Sequence, residues 1–201
     1  MFKPDQKLTQ AQFFQLATWF EGSLILVAYV IGWAADMNPW ADLHFDATTL
    51  IYGVIGTVPL YMLFVVTFRS LNEELKTIRQ FLIQQMGPTL AASRPYQLAY
   101  LALLAGVTEE ALFRGILQPL IENHWGWLAG LMLSNAFFAM AHAITRLYAI
   151  LAGLTGIYLG LSLDIAGYRN LGIPIAIHAL YDFLAFIAVA RAYQMRHSRE
   201  F

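Results

Sequence analysis

Between Pro95 and Ile121 the chain is almost unbroken in its apolar character, yet Glu109, Glu110 and Arg114 stand inside that run, within Gly106-Val107-Thr108-Glu109-Glu110-Ala111-Leu112-Phe113-Arg114-Gly115. An apolar helix of this length has the dimensions of a membrane span, roughly 20 residues. Ionisable side chains at that depth are costly, face protein or a polar cavity rather than lipid, and mark functional sites. Whatever the chain folds into must surround these three groups with partners.

The rest of the sequence suits the same solvent. Of its 201 residues 59% are hydrophobic and 12% charged, with a mean hydropathy of +0.55, against about a quarter charged in soluble domains. The length leaves room for about six spans with short connections. The expected fold class is therefore all-α, a polytopic transmembrane helical bundle, with residues 1–201 forming a single membrane domain. A net charge of −1 and scattered Lys and Arg make no basic, aromatic-interleaved stripe, which excludes nucleic acid as an expected partner. The absence of cysteine removes disulfides, thiolate nucleophiles and sulfur-ligated metals.

Taken in order, a polar stretch with Lys3 and Lys7 precedes a retained first span over Phe13–Ala35, interrupted early by Glu21. Asp36–Asp46 carries three aspartates and no Lys or Arg, which marks a loop away from the cytoplasm. The second span runs over Thr48–Phe68 with Pro59 as a kink. From Arg69 to Gln85, apolar residues at three- and four-residue spacing beside a charged face predict an amphipathic helix at the interface, ended by Gly87-Pro88. The third helix is expected over Pro95–Ile121, the fourth over Trp127–His142, the fifth over Leu147–Leu163 and the sixth from Gly172 to about Ala190. Lys and Arg collect at the N-terminus, in Arg69–Arg94, at Arg146 and in the tail at Arg191, Arg196 and Arg199. That distribution predicts both termini on the cytoplasmic side of a cell (inner) membrane, with Arg169 the one exception.

Three spans carry candidate chemistry. Glu110 and Arg114 are four apart and share a helix face as a charge-assisted pair, whereas Glu109 points about 100° away. Asn135, Phe138 and His142 lie on one stripe of the fourth helix, and His178 and Asp182 on one face of the sixth. Separately, these read as a structural ion pair, an interfacial histidine and a satisfied His–Asp hydrogen bond. Together they bring imidazoles, carboxyls and an amide into an apolar bundle, and the economical reason is one water-activating site.

In Glu109-Glu110-Ala111-Leu112-Phe113-Arg114, Phe138-Ala139-Met140-Ala141-His142 and His178-Ala179-Leu180-Tyr181-Asp182, the chain resembles the CAAX protease and bacteriocin-processing family. These intramembrane peptidases are also called the type II CAAX prenyl protease or abortive-infection family. Its pattern is Glu-Glu-x-x-x-Arg, Phe-x-x-x-His and His-x-x-x-Asn or Asp, each on its own transmembrane helix, and the resemblance covers about Tyr96 to Ile187. It implies a peptidase in which Glu109 and His142 activate water, His178 and Asp182 form or support the oxyanion site, and Glu110 and Arg114 orient it, with Asn135 and Phe138 in support. Asp182 stands where better-studied members resemble one another in having Asn, and a carboxylate donates no hydrogen bond unless protonated. Asp182 is then expected to accept from the second nitrogen of His178 and hold its tautomer.

No cofactor is favoured. The competing version places Glu109, His142 and His178 around zinc. Two readings of another class are a small proton-coupled transporter and a catalytically inactive membrane adaptor. The partners implied are the lipid bilayer and a membrane-associated peptide or protein substrate. Oligomeric state is left open, and the small-residue face of Gly153, Gly156 and Gly160 suits close helix packing, most simply within the chain.

Overall fold

The computed structural model describes residues 8–198, and among them all regular structure is helical. Lys3, Lys7 and Arg199, used above for orientation, lie outside the described residues. The helices are α1 (Gln10–Ala35), α2 (Ala47–Arg69), α3 (Glu73–Gln85), α4 (Gly87–Ala92), α5 (Pro95–Leu112), α6 (Gln118–Trp125), α7 (Trp127–Ala141), α8 (Arg146–Ser162) and α9 (Gly172–His197). A π-helical turn, Phe113–Leu117, joins α5 to α6.

Local chemistry sets most boundaries. Thr9 and Gln12 form a capping box at the start of α1, and the Asp46 carboxylate accepts from the Thr49 amide at 2.8 Å to open α2. That backbone bond holds the exposed Asp46 carboxyl below its ordinary value. Asn72 caps α3, whose first turn carries Glu73 and Glu74, the favourable sign for a helix N-terminus. Gly126, at φ 84°, makes the turn between α6 and α7.

Two expectations need correction. The third helix does not run evenly from Pro95 to Ile121: it passes through the π turn and continues to Trp125. Pro119 supplies the reason, because it has no N–H for the Gly115 carbonyl and its ring crowds that carbonyl. The preceding turn widens instead, with the Gln118 amide bonding to Phe113 O, five residues back. The sixth predicted helix continues past Ala190 to His197.

Of the six predicted spans, α1, α2 and α9 are long and apolar enough to cross a membrane, while α7 and α8 are apolar but shorter, at 15 and 17 residues. The surface agrees with a lipid solvent. Trp19 and Trp33 on α1 are 73% and 85% exposed, and Leu50, Ile55 and Met62 on α2 also face outward. An apolar surface of this extent would be a liability in water.

α9 lies at the centre, packed against α2, α4 and α5, and most of its first two turns are buried. Glycines set the close approaches. A Cβ at Gly53 would lie 2.6 Å from that of Ala176, and one at Gly106 would lie 3.0 Å from the Ala179 amide nitrogen. At one end of the bundle the buried Asn170 side chain donates to Thr49 Oγ1 and accepts from the Gly172 amide, while Leu171 N bonds to Asp42 O. Arg169, the exception to the charge bias, is matched locally by Glu122 at 2.8 Å and by Asp164 at 3.1 Å. The hydrogen bonds that Arg169 donates to the Asp164 carboxylate hold its guanidinium above the ordinary value. The small-residue face of α8 is used inside the chain, with Gly156 against Asn135 and Arg114, and Gly160 against Leu131 and Gln118.

Because Gly106 lets α5 lie directly on α9 one residue turn before the acidic pair, Gly106→Val must push the two helices apart. The expected result is a loss of about 1–3 kcal/mol, the usual range for overpacking, read as an earlier midpoint in denaturant titration of the purified protein in detergent.

Candidate active site

The site is built outward from Glu110, which is fully buried. One of its oxygens, Oε1, accepts from Arg114 Nη1 at 3.0 Å and faces His178 Nδ1 at 2.8 Å. Arg114, 1% exposed, uses its other terminal nitrogen to donate to Asn135 Oδ1 at 2.9 Å and to Gly156 O at 2.7 Å. Asn135 is itself fixed by donating to Leu131 O at 2.6 Å. One carboxylate and one guanidinium thereby tie α5, the π turn, α7, α8 and α9 together. The Arg114 guanidinium also sits 4.8 Å from the Phe138 ring centroid, on which the His142 imidazole stacks at 4.4 Å and to which Phe113 and His178 present their rings edge-on at 5.0 and 6.3 Å.

Glu109 has a different environment from its neighbour. It is 7% exposed, its Oε2 has no hydrogen-bond partner among the described residues, and that oxygen lies 3.7 Å from His142 Nε2. His142 is the residue that closes α7, and its Nδ1 faces Phe138 O at 2.9 Å. A carbonyl only accepts, so Nδ1 carries the proton and, in the neutral ring, Nε2 presents a lone pair toward Glu109. The separation is too long for a direct hydrogen bond and suits two atoms that share one water.

On α9, His178 is 6% exposed and its Nε2 lies 3.7 Å from Asp182 Oδ2. The nitrogen that is firmly held is Nδ1, by Glu110. This corrects the expectation that Asp182 sets the His178 tautomer, since the four-residue spacing puts the two side chains near each other but beyond hydrogen-bond distance.

Glu109, His142, His178, Asp182 and Phe138 all line one cavity of about 310 Å³. It continues between α2, α3 and α9 past Phe64 and Leu82 to Arg79. Glu110, Arg114 and Asn135 lie behind it. Three lining residues escaped the sequence reading: Glu21 of α1, Tyr148 of α8 and Tyr181 of α9. Glu21 accepts from Thr108 Oγ1 at 2.7 Å, so α1 brings a further carboxyl to the cavity. Its interruption of an apolar helix was the available signal.

Among the described residues no group of three His, Asp or Glu side chains is placed to hold a metal ion, while the Glu110 contact at Nδ1 leaves Nε2 of His178 open.

Replacing Arg114 by Leu leaves Glu110 buried without its cation, a change that costs about 3–5 kcal/mol. Arg114→Lys restores the charge but not the forked reach to Glu110, Asn135 and Gly156 at once. Both variants are expected to unfold at lower denaturant than the wild-type chain, with Lys between Leu and Arg, in the same detergent titration.

Comparison with curated proteins and with solved structures found no match to the chain. Comparison with family models matched residues 91–184 to the family described as type II CAAX prenyl endopeptidase Rce1-like. That segment begins in α4 and ends in α9, and it contains all three motifs and every residue of the charged cluster except Glu21. Residues 91–184, a little under half of the chain, are thus similar to the Rce1-like type II CAAX prenyl endopeptidases.

Proposed function

We propose that this protein is an intramembrane endopeptidase that hydrolyses a peptide bond of a membrane-associated protein or peptide, with Glu109 and His142 as the water-activating pair. The observation that carries this reading is the free Glu109 Oε2 facing the His142 Nε2 lone pair at 3.7 Å on the cavity wall. Water held between these atoms loses a proton to the pair as its oxygen attacks the scissile carbonyl carbon. The C–N bond then breaks as the same proton passes to the departing amine.

The oxyanion of the tetrahedral intermediate falls to His178 and Asp182. With Nδ1 donating to Glu110, His178 Nε2 is the atom turned toward the cavity, and it donates there when the ring carries both protons. Asp182 stands close enough to favour that imidazolium electrostatically. Glu110 and Arg114 are positioning residues that act through His178. The cavity is walled mainly by apolar side chains, which suits an apolar, membrane-associated segment beside the cluster.

The bundle reading that accompanies this function is one domain of six spans. The continuous helical run through α5, the π turn and α6 would be the third, α7 and α8 the fourth and fifth, and both termini would be cytoplasmic.

Glu109→Gln keeps the shape and removes the base, so peptide cleavage by the purified protein in vesicles should fall by about 10²–10⁴-fold with its unfolding midpoint unchanged. The same cleavage should survive exhaustive chelation. Activity that is lost to chelator and restored only by zinc would sink the glutamate mechanism.

A further inference from the structure

A second, separate cavity lies at the end of the bundle where α2 stops. It is a groove of about 870 Å³ between the C-terminal turns of α2, the middle of α3 and the last turns of α9. Four arginines line it: Arg69 at the end of α2, Arg79 on α3, and Arg191 and Arg196 on α9. Among the described residues no acidic side chain lines it and none forms an ion pair with any of the four. The single bond recorded for these guanidinium groups is Arg79 Nη1 to Phe68 O at 2.8 Å. Between the cations the wall is aromatic and aliphatic, with Phe68 and Ala188 as examples.

This combination differs from the ordinary cationic fringe of a membrane protein. Isolated arginines at helix ends extend toward water. Here helices distant in sequence line one concavity with four arginines, Arg79 part-buried and Arg69, Arg191 and Arg196 exposed, beside an apolar wall. Guanidinium forks match phosphate oxygens in two-point hydrogen bonds, and basic pockets between membrane helices are suited to anionic headgroups. We propose that the groove is a binding site for an anionic phospholipid, with the phosphate held by Arg69, Arg79, Arg191 and Arg196 and an acyl chain lying along Phe68 and Ala188. Arg79 and Phe68 also line the far end of the catalytic cavity, so the bound lipid forms part of the wall at which that cavity ends. The site does not depend on the protease reading.

The test uses the full chain, purified and delipidated in a neutral detergent and then supplied with dioleoyl phosphatidylglycerol or dioleoyl phosphatidylcholine. Phosphatidylglycerol should raise the apparent Tm and be retained through gel filtration at about one lipid per chain. Phosphatidylcholine and inorganic phosphate should do neither. Arg191→Gln with Arg196→Gln should weaken retention by at least tenfold, and Ala188→Trp, which fills the apolar wall without touching charge, should weaken it as well. Equal retention of the two lipids overturns the proposal, as does retention that both variants leave unchanged, or an effect that inorganic phosphate reproduces alone. Should the double arginine variant fold poorly, Ala188→Trp decides the matter by itself. None of these residues belongs to the Glu109 cluster, so loss of lipid with cleavage intact separates this site from the catalytic one.

Discussion

The bond between the buried Glu110 carboxylate and the Arg114 guanidinium is the contact on which the rest of the arrangement depends. Neither group tolerates an apolar interior unless its charge and its hydrogen-bonding capacity are both met. Meeting them recruits His178 from α9, Asn135 from α7 and the Gly156 carbonyl from α8. The helices must come close for this to work, and small residues stand where they do: Gly156 beside Asn135, and Gly106 against Ala179. Charge burial and close packing are thus one condition in this molecule, since each would be unfavourable without the other.

Two adjacent glutamates therefore occupy unlike surroundings. A rotation of about 100° around the helix turns Glu110 toward Arg114 and His178, which its Oε1 engages, and Glu109 toward the cavity; among the described residues Oε2 of each glutamate has no hydrogen-bond partner. Glu21 adds a third carboxyl on the same wall, held through Thr108. Thr108 immediately precedes Glu109, so the contact also sets how α1 lies against the helix that carries the pair.

The parts of this arrangement that local spacing encodes were legible in the sequence. Glu110–Arg114 is an i,i+4 pair, the Asn135–Phe138–His142 stripe follows helical periodicity, and the apolar runs mark α1, α2, α7 and α8 to within three residues. What was not legible is non-local. Glu21 bonds to a residue 87 positions away, and nothing near it in the chain announces that. For His178 the neighbour four residues on, Asp182, was the obvious partner, yet Glu110 from another helix holds it more closely, at 2.8 Å against 3.7 Å. His142 stands at the very end of α7, and its reach to Glu109 depends on an imidazole that bonds back to Phe138 O and stacks on the Phe138 ring. The π turn did leave a trace, in Pro119, because a proline one turn into an apolar helix has to disturb the preceding carbonyl.

The aspartate at 182 acquires a physical meaning from the same network. On the proposed mechanism an amide there would offer its own N–H to an oxyanion, and an ionised carboxylate offers none. Donation then falls to His178 Nε2, which requires a ring that keeps its Nδ1 proton on Glu110 while carrying a second one. Two carboxyls flank that ring, Glu110 in contact and Asp182 at 3.7 Å, and both favour the doubly protonated form. Glu110 can play its part only because Arg114 fixes it, so exchanging an amide for an acid on α9 places more of the chemistry on the buried ion pair of α5.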